Sequence, residues 1–164
     1  MQLAHIGVAV FIIGVALVKG YQAERDVRMY PGETVTVAGY TFTFNGVQTV
    51  PGPNYTADRG DFTLTYEGRE LQHLYPEKRK YFSSANSMPM TEAAIRHSLT
   101  GDVYVSLGTP TADGGWVVRA YSKPYVTWIW WGTIIMSIGG LWAASDRRYR
   151  RRKTKKGEEG KIGE

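Results

Sequence analysis

Residues 33–47 read ETVTVAGYTFTFNGV, and this stretch decides the fold of the middle of the chain. Apolar residues alternate with threonines on both sides of Gly39. A period of two is typical of β-strands that bury one face. The stretch therefore predicts two strands, with Gly39 as the break between them.

The same signal continues through the surrounding hundred residues. DFTLTYEGRELQHLY, from Asp61, predicts two strands around a turn at Glu67 and Gly68. Further candidate strands cover residues 78–82, 102–107 and 116–121, the last after the DGG turn at 113–115. About six or seven short strands with regularly spaced turns indicate a small barrel or sandwich. A short helix is predicted only at MTEAAIRHSL, from Met90.

Two uncharged apolar segments flank this region, residues 1–18 and residues 125–145. At about 1.5 Å per residue, each is long enough to cross a hydrocarbon core of about 30 Å. A cleaved signal peptide is the alternative for the first segment, but it would need a basic n-region and a small-x-small cleavage site. We therefore predict an α+β membrane protein with two transmembrane helices, residues 1–19 and 125–145, flanking a small mainly-β domain, residues 20–124.

The charge distribution predicts the orientation. The formal net charge is +5, and residues 146–164 hold nine Lys/Arg against four Asp/Glu. The positive-inside rule places such a tail in the cytoplasm. Both termini are then cytoplasmic and the β domain lies outside the cytoplasm. The basic tail is interpreted as a topology signal, and nucleic-acid binding is not expected.

The composition excludes some chemistry. The chain has no cysteine, which rules out thiol exchange and thiolate ligation by this chain. No nucleophile, base and orienting group form a recognisable catalytic set. We do not expect the chain to be catalytic by itself.

Two loop-like stretches leave alternatives open. PGPNY and DRG, around Asn54 and Asp58, predict a Gly/Pro loop, and a plain turn is favoured over a partner-binding loop. PEKRKY, from Pro76, is a basic cluster that would suit an acidic ligand or a haem propionate. A solvated edge strand protected by Lys and Arg is the favoured interpretation.

His5 is the candidate functional residue of the first helix. Its imidazole either packs by hydrogen bonding and snorkelling, or it ligates haem iron between transmembrane helices. The second helix contains no histidine, and its Met136 is a weak candidate for the other axial ligand. His73 and His97 are too isolated in sequence to propose a metal site. If His5 binds haem, its partner histidine is therefore expected on another chain or on a part of this one that is missing.

Several ordered motifs carry a family resemblance: LAHIGVAVFIIGVALV, ERDVRMYPGETVTVAGYTFTFNGV, GPNYTADRG, YPEKRKY, MPMTEAAI, DVYVSLG and DRRYRR. Together they resemble the C-terminal part of the CcmF/NrfE family of membrane haem lyase subunits, which act in System I cytochrome c maturation. The resemblance covers about residues 3–150. It implies that the β domain is the last large periplasmic loop, between the final two helices of a multi-pass protein in the bacterial inner membrane.

The resemblance also implies a haem role for His5, as one of two axial ligands of a transmembrane haem b. The second histidine and the tryptophan-rich haem-handling segment lie upstream of the matched part. WIWW, at Trp128, Trp130 and Trp131, lacks the pattern of that segment and is interpreted as an interfacial anchor.

The implied chemistry is thioether formation between haem vinyl groups and the thiols of apocytochrome c. The implied partners are the rest of the CcmF transmembrane portion, the haem chaperone CcmE, a CcmH-type apocytochrome-handling subunit and apocytochrome c. Two alternatives remain. One is a structural, partner-docking membrane subunit that binds no haem itself, and the other is a two-span receptor for an extracytoplasmic ligand.

Overall fold

A computed structural model describes residues 2–82 and 88–145 of the chain. A helix lies at each end, α1 (Gln2–Tyr21) and α2 (Val126–Ser145). The strands between them are β1 (Ala23–Met29), β2 (Thr34–Val37), β3 (Tyr40–Pro51), β4 (Tyr55–Tyr66), β5 (Arg69–Leu74), β6 (Glu77–Tyr81), β7 (Met90–Glu92), β8 (Ala94–Ser98), β9 (Gly101–Pro110) and β10 (Trp116–Pro124). The predicted basic tail, residues 146–164, lies outside the described residues.

The chain forms two compact units. One contains the two apolar helices, and the other is the β domain, Val18–Tyr125. Among the described residues, α1 and α2 are the helices long and apolar enough to cross a membrane. Only 11% of the apolar window of each helix is buried, which differs from the core helix of a soluble protein.

The β domain consists of two antiparallel sheets. One has the strand order β1-β10-β9-β8, and the other has the order β2-β3-β4-β6-β7 with β5 also paired to β4. Strand β4 has two partners along one edge, because β6 pairs with its first half and β5 with its second half. The predicted mainly-β sandwich between two apolar helices is confirmed.

The core lies between the inner faces of the two sheets. Its largest fully buried side chains include three phenylalanines from β3 and β4, and the rings of Phe44 and Phe62 stack with centroids 4.9 Å apart. Burying one such side chain contributes about 1.5–3 kcal/mol. The buried hydrophobic residues of this core are Met29, Val37, Phe42, Phe44, Phe62, Leu64, Leu74, Val103, Val105, Leu107, Val118 and Ala120.

The two turns predicted within the six-stranded sheet are confirmed, and both have the same backbone geometry. Ala38 and Gly39 have φ angles of 49° and 83°, and Glu67 and Gly68 have 50° and 75°. Positive φ at both central residues defines the type I′ turn, whose twist matches that of the paired strands. Each turn therefore fixes the register of its hairpin.

The helix predicted from Met90 is wrong, because this segment forms β7 and β8. Strand β8 pairs with β9, with Ile95 opposite Tyr104 and His97 opposite Asp102. This pairing supplies backbone hydrogen-bond partners to β9, which carries buried core residues. A weak local helix propensity is outweighed by such tertiary pairing. The predicted number of strands was also too small, because the described part of the chain contains ten.

Two loop and edge predictions are also corrected. The DRG sequence at residues 58–60 lies inside β4, where Gly60 is buried. A Cβ atom on Gly60 would lie 2.9 Å from the ring of Phe62, so the glycine permits this close packing. Strand β6, which contains the basic cluster, lies between β4 and β7 and not at an edge of the sheet.

Candidate functional site

The two apolar helices pack through glycines. Gly7 and Gly14 are buried on α1, and Gly132 and Gly139 are buried on α2. Both pairs are seven residues apart, so each pair lies on one face of its helix. Glycines at a helix interface allow the two backbones to approach closely. We call these four residues the glycine seam.

Contacts across the seam are with backbone atoms. A Cβ atom added to Gly132 would lie 2.5 Å from the amide nitrogen of Phe11, and one added to Gly139 would lie 2.5 Å from that of Ala4. A Cβ atom on Gly7 would meet the backbone of Met136. Backbone atoms cannot move aside as a flexible side chain can, so the seam requires glycine at these positions.

His5 lies on α1 away from the seam, and its side chain is exposed. Ala4, the preceding residue, contacts the seam on α2. An α-helix turns about 100° per residue, so His5 projects about 100–180° from the α1 residues that face α2. The imidazole therefore faces away from α2.

Met136 is not placed opposite His5. Its backbone packs against Gly7 within the seam, on the side of α2 that faces α1. Because His5 projects to the other side of α1, the structure does not bring the two side chains together. The face around His5 is apolar, since the exposed residues three, four and seven positions further along α1 are Val8, Ala9 and Ile12.

The tryptophans predicted to be interfacial anchors lie in the first two turns of α2. Trp128, Trp130 and Trp131 are all exposed, as an anchor at a helix end requires. A further exposed aromatic residue of this helix, Trp142, lines a cleft with Gln2 and Leu3 at the end of the helix pair that also carries His5.

The two histidines of the β domain each have a carboxylate partner. His73 Nδ1 donates a hydrogen bond to Asp61 Oδ1 over 2.7 Å, which raises the pKa of His73 above its usual value. His97 and Asp102 both lie in the four-stranded sheet, and the distance from His97 Nδ1 to Asp102 Oδ1 is 3.1 Å. Within residues 2–82 and 88–145 no cluster of His, Asp and Glu suited to a metal ion is present. Each of the two histidines thus pairs with a carboxylate of a neighbouring strand, Asp61 of β4 for His73 and Asp102 of β9 for His97.

Arg79 of the basic cluster of β6 binds carboxylates inside the domain. Glu77 is 6% exposed and accepts hydrogen bonds from Arg59 Nε at 2.7 Å and Arg79 Nε at 2.8 Å. Burial alone would raise the pKa of Glu77, but the hydrogen bonds from the two arginines bring it below its usual value. Arg79 also donates to Glu92 of β7 over 2.6 Å. The arginines thus bind neighbouring carboxylates of the same sheet.

A second polar cluster joins the end of β1 to the turn between β9 and β10. Asp113 accepts hydrogen bonds from Thr111 at 2.5 Å, Tyr30 at 2.6 Å and Arg28 at 2.8 Å. The hydrogen bonds from Thr111 and Tyr30 lower the pKa of Asp113 to about 2. This cluster fixes the conformation of the β9–β10 turn.

The haem role of His5 stays a prediction from the sequence, whereas the glycine seam was missed by sequence reasoning. The available signal was the repeated seven-residue spacing of glycines in both apolar segments, which is typical of close helix packing. The Glu77 cluster was also missed, because it depends on the register that places Arg59 opposite Glu77.

Comparison with known proteins extends this picture. The profile of the family described as the CcmF C-terminal beta-sandwich matches residues 20–124. The chain is 50% identical over 150 residues to the cytochrome c-type biogenesis protein CcmF of Pseudomonas aeruginosa, with 92% of this chain and 22% of the relative covered. It is 46% identical over 152 residues to CcmF of Escherichia coli, with 93% and 23% covered.

A more distant relative is the cytochrome c-type biogenesis protein NrfE of Haemophilus influenzae, 31% identical over 153 residues, with 93% of this chain and 24% of the relative covered. The chain thus spans less than a quarter of the length of these relatives. A solved structure of the cytochrome c haem lyase CcmF shares the fold with a TM-score of 0.70 at 19% identity, over 88% of this chain and 24% of that one. The chain belongs to the CcmF family, and residues 20–124 are its C-terminal β-sandwich.

Proposed function

We propose that the chain is the C-terminal portion, or a split subunit, of a CcmF-type haem lyase in the bacterial inner membrane. In this proposal α1 and α2 span the membrane, both termini are cytoplasmic and the β-sandwich is periplasmic. Membership of the CcmF family supports the role in cytochrome c biogenesis. The two exposed apolar helices and the basic tail support the topology.

We further propose that His5 supplies one axial ligand to a transmembrane haem b. The observation that carries this step is the position of His5, exposed on the face of α1 opposite the glycine seam. A ligand that faced α2 would meet Met136 and glycine backbone, whereas this face is accessible to a further helix. The second histidine then comes from outside this chain.

The residues around His5 fit such a group. Val8, Ala9 and Ile12 provide an apolar, uncharged surface on the same side of α1, suited to the apolar face and edge of a porphyrin. Imidazole is the usual protein ligand of haem iron. When bound, haem b supplies electron transfer. The role of this chain is to hold one axial position and to exclude water from that side.

The β-sandwich is proposed as the docking part of the chain. Its expected partners are the haem chaperone CcmE, a CcmH-type subunit and apocytochrome c, and the helices are expected to pack against the remaining CcmF transmembrane portion. The domain suits a docking role because its polar clusters are satisfied by internal partners, which gives it a rigid surface. Thioether chemistry is assigned to the assembled complex and not to this chain alone.

Reconstitution tests the proposal. The tagged chain is expressed alone and together with the N-terminal portion of CcmF, purified from membranes, and examined by absorption spectroscopy. We expect little haem on the chain alone, because one axial ligand holds haem weakly. We expect co-purification and a six-coordinate b-type spectrum from the pair.

A stable pair that contains no haem would contradict the haem role and support the structural, partner-docking alternative. Failure of the two portions to co-purify would contradict the assignment to a CcmF complex. Spectra of the chain alone serve as the control for adventitious haem.

A further inference from the structure

The hairpin between β8 and β9 has an unusual apex. Strand β8 ends at Ser98 and β9 begins at Gly101, which leaves Leu99 and Thr100 in the turn. Leu99 is 84% exposed. Tight turns in water favour Gly, Asn, Asp and Ser, which solvate the backbone or adopt its special conformations. A large apolar side chain at this position therefore calls for a partner.

Four other hairpin turns of the domain lack a large apolar residue. Their central residues are Ala38-Gly39, Gly52-Pro53-Asn54, Glu67-Gly68 and Ala112-Asp113-Gly114. Described residues of the longer β6–β7 connection include exposed Phe82 and Met88, so an apolar apex distinguishes the β8–β9 turn from these four short turns.

The turn has a defined geometry. Ser98 Oγ donates a hydrogen bond to the carbonyl oxygen of Gly101 over 2.7 Å. Gly101 has a φ of 149°, and a Cβ atom there would lie 2.5 Å from Cα of Pro124. The exposure of Leu99 is therefore built into a fixed turn that packs closely against the end of β10.

The same turn is bonded to the residue that precedes α2. The amide of Tyr125 donates a hydrogen bond to the carbonyl oxygen of Thr100 over 2.9 Å. Val126, the next residue, begins α2. The apex of the hairpin consequently lies beside the point where the chain enters its second apolar helix.

An aromatic pair lies at this point, and the last turn of α1 carries a cation. The ring of Tyr125 packs edge-on against that of Tyr21, the last residue of α1, with centroids 5.9 Å apart. Lys19, in the last turn of α1, is exposed. Tyrosine and lysine at the ends of apolar helices are typical of the membrane–water interface, where the ring or the stem is apolar and the tip is hydrated.

We propose that the β8–β9 turn is a lipid-contacting element, with Leu99 inserted into the interfacial region of the bilayer beside the start of α2. The proposal rests on the membrane spans proposed above. Its partner is the acyl–headgroup boundary of the bilayer, because a single leucine with neighbouring hydroxyl groups matches the mixed chemistry of that zone.

Single-cysteine labelling tests the proposal, since the natural chain contains no cysteine. Full-length Leu99→Cys is labelled with an environment-sensitive fluorophore and reconstituted in phosphatidylcholine–phosphatidylglycerol liposomes. Quenching by nitroxide-labelled lipid is compared with quenching by aqueous iodide. The matched control is Ala112→Cys, an exposed turn residue at the far end of β9, about 30 Å away along a ten-residue strand.

We expect lipid quenching at residue 99 to be at least about threefold stronger than at residue 112, with the opposite order for iodide. Equal, water-like quenching at both positions would overturn the proposal. Ile12→Cys, on an exposed position of α1, separates this failure from failure of the spans. Lipid quenching at residue 12 with water-like behaviour at residue 99 rejects only the lipid-contacting turn, whereas water-like behaviour at both rejects the spans as well.

Discussion

Glu77 shows how a single charged residue is accommodated in a small sandwich. Its carboxylate is buried and is shared by two arginines, one from β4 and one from β6 itself. Removing a buried partner leaves other charged groups desolvated, so the cost exceeds the value of an exposed ion pair. Glu77 and its two arginines therefore stabilise the fold of the domain.

We expect Glu77→Gln to lower the free energy of unfolding by about 1–3 kcal/mol, because two arginines then face a neutral amide. Urea unfolding of the detergent-solubilised chain, followed by circular dichroism of the β signal, measures the change. Glu92→Gln is the control, because Glu92 binds the same Arg79 but is exposed, and such pairs contribute about 0–1 kcal/mol. Equal losses in the two variants would contradict the role assigned to Glu77.

Asp113 gives the domain a defined response to acid. Its pKa is lowered to about 2 in the folded chain, mainly by hydrogen bonds from Thr111 and Tyr30. A carboxyl group with a lowered folded pKa stabilises the fold above its unfolded pKa and loses that contribution as the pH falls through the folded value. The relevant window lies between about pH 4 and about pH 2.

We therefore expect Asp113→Asn to be less stable than the natural chain at neutral pH, with the difference disappearing as the pH falls from about 4 to about 2. Melting temperatures of both proteins across this range measure the effect. If the melting temperatures of the two proteins still differed by the same amount at about pH 2, the charge of Asp113 would not be what stabilises the fold.

At the scale of single residues, the sequence draws attention to His5, whose haem role stays a prediction, but not to Glu77. An imidazole in an uncharged apolar segment is conspicuous in the sequence itself, because its polar atoms require partners. Glu77 stands in a run of charged residues, and only the pairing of β4 with β6 brings Arg59 to it. The sequence pattern does not reveal which residues of two distant strands lie opposite each other.

At the scale of elements, most strands were predictable, but β1, β7, β8 and the first half of β4 were not. Strands β2, β3, β5 and the second half of β4 were predicted from alternation and turn signals, and strands β6, β9 and β10 were predicted as well. Strand β1, AERDVRM, is mostly charged, and it becomes a strand by pairing with β10, aided by the ion pair between Asp26 and Arg119. Strand β8 likewise owes its conformation to β9 and not to local propensity.

The close packing of α1 and α2 at the glycine seam can be tested by substitution of its glycines. Gly139 faces the backbone of α1, whereas nothing lies within 4 Å of a Cβ atom placed on its neighbour Gly140. We expect Gly139→Ala to destabilise the helix pair by about 1–3 kcal/mol through overpacking. Gly140→Ala should be neutral or stabilising by up to about 1 kcal/mol, because alanine favours the helix.

Thermal unfolding of the two alanine variants in the reconstituted complex, followed by loss of the helical circular-dichroism signal, compares them directly. A lower melting temperature for Gly140→Ala than for Gly139→Ala would contradict the packing described for the seam.

At the scale of the whole molecule, the proposed topology predicts where reporters are active. A fluorescent protein that folds only in the cytoplasm should be active after Arg152, because the basic tail remains inside. A phosphatase active only outside the cytoplasm should be active when inserted at Gly114, in the exposed turn between β9 and β10. An active phosphatase after Arg152 together with an active fluorescent protein at Gly114 would contradict the proposed orientation.

The haem role of His5 is tested most directly by the absorption spectrum of its alanine variant in the reconstituted CcmF complex. We expect His5→Ala to insert and assemble normally, because alanine is tolerated in an apolar helix, but to lose the six-coordinate b-type spectrum, with partial recovery on addition of imidazole. His73→Ala and His97→Ala are the controls and should keep it. An unchanged spectrum in assembled His5→Ala would contradict ligation and reduce His5 to a packing residue.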